Sequence, residues 1–287
     1  MKKLSILLLL IFLTVLFPMM QARADFGPKR SLDVEIIGAK KPYHIELLME
    51  GDLPIQAEID EMRPYIESEY PDYPEMLYTF QDEGYVSANL VLPWGVWQQN
   101  PEDNYYIYSY NPPEQLKIML VFTDGHYVTS KIIESTLFNS KITYDITAVD
   151  QDMDQLSVGK IREVLPIQTM SIELITRIIG TIFIEIVVLF LFGYIAKRSY
   201  LLVTYVNLVT QVILTGFMFA AKYYVFPIFG ELFVLIIGEF MIFLTEFIIF
   251  RFYLTEKSKK RALLYTLAAN FFSLVASYTI MIVLMNF

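Results

Sequence analysis

The sequence contains no cysteine, and this absence excludes several functions at once. Without a thiol there is no thiol nucleophile, no disulfide and no cysteine-ligated metal site. Histidine is scarce too: His44 and His126 lie far apart and outside the long apolar runs. Glycine-rich phosphate loops are also absent. We therefore predict no enzyme, no catalytic residues, no metal and no cofactor.

Charge is the next scarce property. Charged residues make up 18% of the chain and hydrophobic residues 55%, which is too apolar for an ordinary soluble protein. The net charge of -9 comes from segment 25–168, which holds 25 acids against 10 bases. Nucleic acid requires a basic face, so we predict no nucleic-acid partner. Cations or basic partners are compatible with this segment, although solvation alone accounts for an acidic surface.

The N-terminus has the three parts of a secretory signal. A positively charged start at 1–3 precedes an apolar run at 4–20, and Ala22 and Ala24 are small residues at the two positions that a cleavage site needs. We predict a signal peptide over residues 1–24, with an uncleaved anchor as the alternative. Cleavage would leave residues 25–168 as an extracellular domain at the cell membrane.

Four later apolar runs are each long enough to cross a hydrocarbon core of about 30 Å. They define a predicted transmembrane domain, residues 169–287, with spans at about 172–196, 201–221, 228–253 and 262–286. The positive-inside rule orients them, because basic residues concentrate after the first and third spans and so place residues 25–168 outside. Those basic residues are Lys197, Arg198, Arg251, Lys257, Lys259, Lys260 and Arg261.

Segment 25–168 is typical of short strands separated by turns. A hairpin is predicted around Asp124-Gly125, and a short acidic helix over 56–69 is limited by Pro64. Trp94, Trp97 and the turn at 100–104 are predicted as loop. The fold class is therefore an α+β membrane protein, with an N-terminal β-sandwich-like domain, immunoglobulin-like or prealbumin-like, followed by a four-helix transmembrane bundle. The predicted strands cover 32–38, 43–49, 105–110, 116–122, 127–133 and 141–147.

Asp150, Asp152 and Asp154 have the opening spacing of a calcium loop. The glycine expected at the sixth position is Gln155 and the glutamate expected at the twelfth is Ile161. We therefore interpret this segment as an acidic linker.

Acidic residues inside the spans are the most informative feature. A charged side chain at the bilayer centre costs roughly 2.5–3.5 kcal/mol on insertion scales, yet Glu185 and Glu239 fall near the middle of their spans. Glu246 lies two turns beyond Glu239, and Glu231 lies near a span end, where we expect contact with solvent. No lysine or arginine lies deep within a span, so we expect these acids to lack a cationic partner.

The spacing of the polar residues predicts that they converge. Glu239 and Glu246 are seven residues apart and share one helix face. A rise of about 1.5 Å per residue predicts two layers. One layer consists of Asn207, Glu246 and Asn270, and the other layer consists of Glu185, Gln211 and Glu239. The predicted polar centre comprises Glu185, Asn207, Thr210, Gln211, Glu239, Glu246, Asn270 and Ser273.

Two chemical states remain open for these acids. Protonated carboxyl groups would bond the amides and hold the helices together, whereas ionised ones would need a bound cation or water. The first state predicts a non-enzymatic multi-pass envelope protein, a surface sensing or interaction module anchored by the bundle. The second predicts a small proton- or cation-coupled transporter. Partners in either case are the lipid bilayer and a second membrane protein or a second copy of the chain.

Several segments of the sequence, together with these intramembrane residues, resemble a known group of proteins. The start Ala24-Asp25-Phe26-Gly27-Pro28-Lys29, the Pro112-Pro113 entry to Lys117-Ile118, and Tyr144-Asp145 resemble a group of exported Gram-positive membrane proteins. The intramembrane polar residues, including Ala269-Asn270 with Ser273, resemble that group as well. The resemblance covers nearly all of the chain after the signal peptide. It implies a β-rich domain outside the cell and four C-terminal helices, and it implies no activity.

Overall fold

The computed structural model describes residues 29–91, 96–100, 105–109, 111–225, 227 and 229–285. Within them a β-rich domain is followed by four long helices, which confirms the predicted α+β fold class. The predicted signal peptide, Trp94 and residues 101–104 lie outside the described residues.

Two sheets make up the β-rich domain. The first has the order β11-β10-β1-β6-β5 and the second the order β3-β4-β2-β7-β8, with β9 paired to β7. Strand β1 runs parallel to β10, and the other pairs of strands are antiparallel. The strands are β1 Ser31–Ile37, β2 Tyr43–Glu50, β3 Gln81–Asp82, β4 Tyr85–Ser87, β5 Val96–Asn100, β6 Tyr105–Ser109, β7 Gln115–Phe122, β8 Tyr127–Thr129, β9 Ile133–Glu134, β10 Asn139–Asp145 and β11 Lys160–Glu163.

Two strand predictions need correction. Trp97 and Asn100 were expected in a loop, but they belong to β5, where Trp97 pairs with Tyr108 and Asn100 with Tyr105. Pairing with the tyrosine-rich β6 overrides the local turn signals, since strand preference depends on the neighbour across the ladder. The predicted strand at 127–133 is split into β8 and β9, which pair with different parts of β7.

The two sheets pack face to face around one hydrophobic core. Along β1 the buried positions alternate, so that Leu32, Val34 and Ile36 join the core while their neighbours are partly exposed. Residues of β2, β6, β7 and β10 belong to the same cluster. The domain is therefore a two-sheet sandwich.

Helix α1, Gln56–Glu69, covers the outer face of the second sheet. Its buried residues Ile59 and Ile66 join the outward-facing residues of β2 and β7 in a second core. The helix continues through Pro64, although an interior proline costs about 3 kcal/mol. Burial on both sides of Pro64 explains why the predicted limit does not apply. A 3₁₀ turn at Glu75–Tyr78 and the one-turn helix α2, Ala88–Val91, complete the domain.

Four helices follow, each long and apolar enough to cross a membrane, which fits a multi-pass membrane protein. They are α3 Ile167–Leu191, α4 Lys197–Ala220, α5 Phe229–Tyr253 and α6 Lys259–Met285, and a π-helical turn at Ala221–Val225 extends α4. Helix α3 begins and ends earlier than the predicted span 172–196. Gly193 explains its end, because its φ of 77° is the left-handed conformation that terminates helices.

Candidate functional site

The four long helices surround a common interior. Helix α3 packs against α4 and α6, and α5 packs against the same two helices. Short turns join successive helices, so neighbours run antiparallel. The bundle interior is lined by polar side chains that are buried, whereas most of the large apolar side chains face outwards. This inversion is expected where the surroundings are lipid.

The three central acids are all buried. Glu185 is 1% exposed, Glu239 is 5% exposed and Glu246 is 0% exposed. Each carboxyl group acts electrostatically on at least one other of the three. The predicted convergence of acids from α3 and α5 is therefore present in the structure.

Helix α6 supplies hydrogen-bond donors to these acids. The Tyr265 hydroxyl donates to Glu185 Oε2 at 2.5 Å, and Asn270 Nδ2 donates to Glu246 Oε2 at 2.7 Å. Asn270 also donates to the carbonyl of Thr266 at 3.0 Å, which fixes its orientation. Acids on two helices are thus tied to a third.

The antiparallel register of α5 and α6 explains a third pair. Glu239 precedes Glu246 by seven residues, and Ser277 follows Asn270 by seven residues. Because the helices run in opposite directions, a step back along α5 matches a step forward along α6. Ser277 is accordingly buried in the bundle interior beside Glu239 and interacts with its carboxyl group. Ser273, between the two donors, is buried as well.

Helix α4 contributes two of its three predicted residues. The Asn207 side chain donates to the carbonyl of Val203 at 3.1 Å and interacts with the Glu185 carboxyl group. Gln211 is buried in the interior. Thr210 is the exception: its hydroxyl donates to the carbonyl of Val206 at 3.1 Å, and its side chain lines an apolar groove between α4 and α5. A threonine satisfied by its own helix can face lipid, so Thr210 does not belong to the polar centre.

The predicted layers are wrong for one residue. The sequence predicts Glu185 at the level of Glu239, but its bond from Tyr265, which precedes Asn270 by five residues on α6, places it towards the Glu246 layer. Helix α3 occupies Ile167–Leu191, about one turn earlier in sequence than the predicted span, which moves Glu185 towards its end.

Some buried polar atoms of the centre lack a partner. Among the described residues, Oε1 of Glu239, Oε1 of Glu246 and Oε1 of Gln211 have no hydrogen-bond partner. Buried polar atoms are nearly always paired, so unpartnered ones need an explanation. These three oxygens are the acceptors through which the centre can take a proton or a cation.

A second polar cluster, separate from the predicted polar centre, lies at the end of the bundle nearest the β-rich domain. We call it the junction cluster and define it as Glu173, Arg177, Lys222 and Glu231. Arg177 is 1% exposed, and its Nε and Nη2 donate to Glu173 Oε1 at 3.2 and 3.1 Å. Its Nη2 also lies 3.4 Å from Glu231 Oε1, and Lys222 Nζ donates to Glu173 Oε2 at 3.0 Å.

The junction cluster corrects two expectations. Glu231 is 2% exposed, so the predicted contact with solvent is wrong, and its partner is Arg177. Arg177 also acts electrostatically on Glu239, so the acids do not lack a cation altogether. The available signal was the spacing of Glu173 and Arg177, which puts opposite charges four residues apart on one helix face.

The β-rich domain contacts the bundle beside this cluster. The backbone N–H of Phe138 donates to the carbonyl of Tyr223 at 2.7 Å. Phe138 belongs to the loop between β9 and β10, and Glu163 of β11 holds that loop in place. Its carboxylate accepts bonds from the backbone N–H groups of Thr136 and Leu137, both at 3.1 Å, and from the Ser140 hydroxyl. The last strand before α3 thus fixes the loop that touches α4.

No group of three or more histidine, aspartate or glutamate side chains that could hold a metal ion occurs in the part of the chain that the structure describes. The aspartates of the calcium-like segment are engaged elsewhere. Asp152 pairs with Lys41 at 2.5 Å, and Asp154 pairs with His126 at 3.2 Å.

Comparison with known proteins adds no relative: the sequence matches no protein-family model, and neither a curated protein nor a solved structure matches the chain.

Proposed function

We propose that the chain is a non-enzymatic multi-pass envelope protein whose β-rich domain is a surface sensing or interaction module. The four helices anchor that domain, and their polar centre holds them together. One observation carries this proposal: the carboxyl groups of Glu185 and Glu246 each accept a hydrogen bond from α6, donated by Tyr265 and Asn270 respectively. Side chains paired across helices in this way are typical of adhesion within a membrane.

The free energy of such interhelical hydrogen bonds is large enough for them to hold an anchor together. Interhelical hydrogen bonds in membranes contribute about 0.6 kcal/mol each on average, with a maximum of about 1.7 kcal/mol. Two such bonds, together with the ion pairs of the junction cluster, favour one arrangement of helices over sliding or rotated alternatives.

The proposed location follows from the sequence. A signal peptide over 1–24 would export the β-rich domain, and the basic turn residues between α3 and α4 and between α5 and α6 would stay inside. The acidic domain then lies on the extracellular side of the cell membrane.

The alternative function is proton or cation coupling. The unpartnered oxygens of Glu239, Glu246 and Gln211 favour it, because a buried carboxyl oxygen without a partner can accept a proton and carboxyl and amide oxygens can both contact a cation. Glutamates on two helices and an amide on a third would form that pathway.

One experiment with two readouts separates the functions. The purified chain and its variants E185Q, E239Q and E246Q are reconstituted in liposomes that contain a pH-sensitive dye, and thermal unfolding is measured in detergent. An anchor predicts no proton flux from the wild type and melting temperatures within a few degrees of it for the variants, since an amide replaces a carboxyl group. Flux that the wild type shows and all three variants lose would establish the alternative.

A second pair of variants tests adhesion directly. Y265F removes the donor to Glu185, whereas Y205F removes a hydroxyl from a side chain that is 68% exposed on the outer surface of the bundle. We expect Y265F to lower the melting temperature by about 2–4 °C for each kcal/mol lost, and Y205F to leave it unchanged. Equal melting temperatures for both variants would contradict the anchor.

A further inference from the structure

An open groove of about 940 Å³ lies at one end of the β-sandwich. It is formed by the start of β2 at 42–45, the end of β7 and its turn at 121–125, the connection at 69–76 that begins at the end of α1, and Tyr106 of β6. Small-ligand sites measure about 300–1,000 Å³, so the groove has the size of a binding site.

The walls of the groove are aromatic. Tyr43, Tyr70 and Tyr106 line it, and the ring centroids of Tyr43 and Tyr106 lie 5.9 Å apart. The His44 ring lines it too and meets Tyr70 edge-on at 6.4 Å. Ring faces carry negative charge density and attract cations within about 6 Å of the ring centroid.

The rim of the groove is acidic. Glu69 and Asp72 are exposed at its edge, and neither forms an ion pair with any residue of the described ranges. The buried carboxyl group of Glu46 lies beneath the floor, 3.6 Å from His44 Nε2, and accepts bonds from Asn89 at 3.1 and 3.3 Å. The cation nearest this wall, Lys41 beside Phe122, is already paired with Asp124 and Asp152, which leaves Glu69 and Asp72 as the rim charges without an ion pair.

The protein already binds one of its own cations in this way beside the groove. The Arg63 guanidinium donates to both oxygens of Glu75 at 2.6 and 2.7 Å and lies 4.1 Å from the centroid of the Tyr78 ring. This pairing lowers the pKa of Glu75 below its usual value. The same guanidinium also lies 3.4 Å from Glu67 Oε1, so carboxylates and a tyrosine ring together surround this organic cation.

From these contacts we infer that the groove binds an organic cation, an ammonium or guanidinium group on an apolar stem. The stem packs on Tyr43, Tyr70 and Tyr106, and the cationic head meets Glu69 and Asp72. The inference rests on the proposed sensing or interaction role and names the chemical class of its ligand. Complementary charge selects this occupant, because an anionic or neutral ligand would leave both rim carboxylates unpaired.

The test uses the full chain in nanodiscs of zwitterionic lipid, so that the bilayer itself does not attract cations. The probe is an N-terminally acetylated tetrapeptide amide of four lysines, and its control is the same peptide with every side-chain amine acetylated as well, which keeps the stem and removes the charge. Binding is measured by isothermal titration at 0.15 M salt. We expect the charged peptide to bind and the acetylated one not to bind.

Variants locate the site. The double variant E69Q/D72N should weaken binding of the charged peptide at least tenfold. E61Q removes an equally exposed acid from α1 outside the groove and should leave binding unchanged. All three positions are on the surface, so the fold is retained.

Three results would overturn the inference: no binding of the charged peptide by the wild type, equal binding of the acetylated peptide, or equal weakening by E61Q and E69Q/D72N. None of them bears on the anchor, which is tested by proton flux and by Y265F. A failure of the inference about the ligand can therefore be distinguished from a failure of the proposed function.

Discussion

Lys117 shows what a buried charge needs at the scale of one residue. Its side chain is 0% exposed within β7, and its Nζ donates to Asp82 and Glu83, both at 2.8 Å, and to the Ser157 hydroxyl at 3.2 Å. Burial by itself lowers the pKa of Lys117, but the bonds to Asp82 and Glu83 outweigh it and raise that pKa above its usual value. The ammonium group therefore stays charged at neutral pH.

Removing this ammonium group should be costly. K117M leaves Asp82, which is 3% exposed, without a cation, and breaking a buried pair on one side costs about 3–5 kcal/mol. We expect this loss in the free energy of unfolding of the β-rich domain, measured in urea by tryptophan fluorescence of the full chain in detergent. K131M replaces an exposed lysine and should change it by less than about 0.5 kcal/mol. Equal effects of the two variants would refute the role of the pair.

Some residues of the polar centre could be predicted from the sequence and others could not. Glu239 and Glu246 stand out because a carboxyl group in an apolar run is expensive, and helical periodicity then puts them on one face. Tyr265 does not stand out, since a tyrosine near a span end is also typical of the membrane interface. Its role depends on Glu185 lying opposite, and only the packing of α3 on α6 reveals that.

At the scale of elements, the turn between α5 and α6 is tied to the start of α4. The Glu256 carboxylate accepts bonds from the backbone N–H groups of Ile195 at 2.7 Å and Ala196 at 3.0 Å, and from the Ser199 hydroxyl at 2.8 Å. These N–H groups lie at a helix N-terminus, which has unpaired donors. The bond from Ile195 above all lowers the pKa of Glu256 below its usual value.

The hydrogen bonds of Glu256 predict how the melting temperature changes at acidic pH. A carboxyl group whose pKa is lower in the folded state stabilises the fold above its unfolded pKa, about 4.3 for glutamate, and loses that contribution as the pH falls through the folded pKa. E256Q should therefore lower the melting temperature at pH 7 and make its fall between pH 5 and pH 3 shallower. E61Q serves as control and should follow the wild type at every pH, as scans in detergent will show.

Element boundaries depended on different signals. The hairpin of β7 and β8 was predictable because Asp124-Gly125 has the chemistry of its turn, and Gly125 adopts a φ of 91°. The parallel pairing of β1 with β10 joins residues 108 positions apart, beginning with Ser31 and Asn139, and no local pattern encodes it. Strand β5 was missed for the same reason, since its neighbour β6 decides its conformation.

At the scale of the whole molecule, the junction cluster lies where the β-rich domain contacts the bundle. Lys222 of the cluster adjoins Tyr223, whose carbonyl accepts the bond from Phe138. Two acids and two bases make the cluster neutral as a unit. A neutral unit can be buried, whereas removal of one member leaves a net charge in a site where three of the four side chains, Glu173, Arg177 and Glu231, are buried.

Charge balance rather than any single bond should therefore govern this junction. R177M leaves Glu173 and Glu231 with Lys222 alone, a net charge of one, and should lower the melting temperature and expose the β-rich domain to protease at the junction. R177M/E231Q restores neutrality with the pair of Glu173 and Lys222, so it should recover most of the lost stability although it removes one more charged group. E231Q alone leaves one unpaired positive charge and should resemble R177M in melting temperature. A double variant less stable than both single variants would mean that the individual bonds, and not the balance of charge, hold the two parts of the protein together.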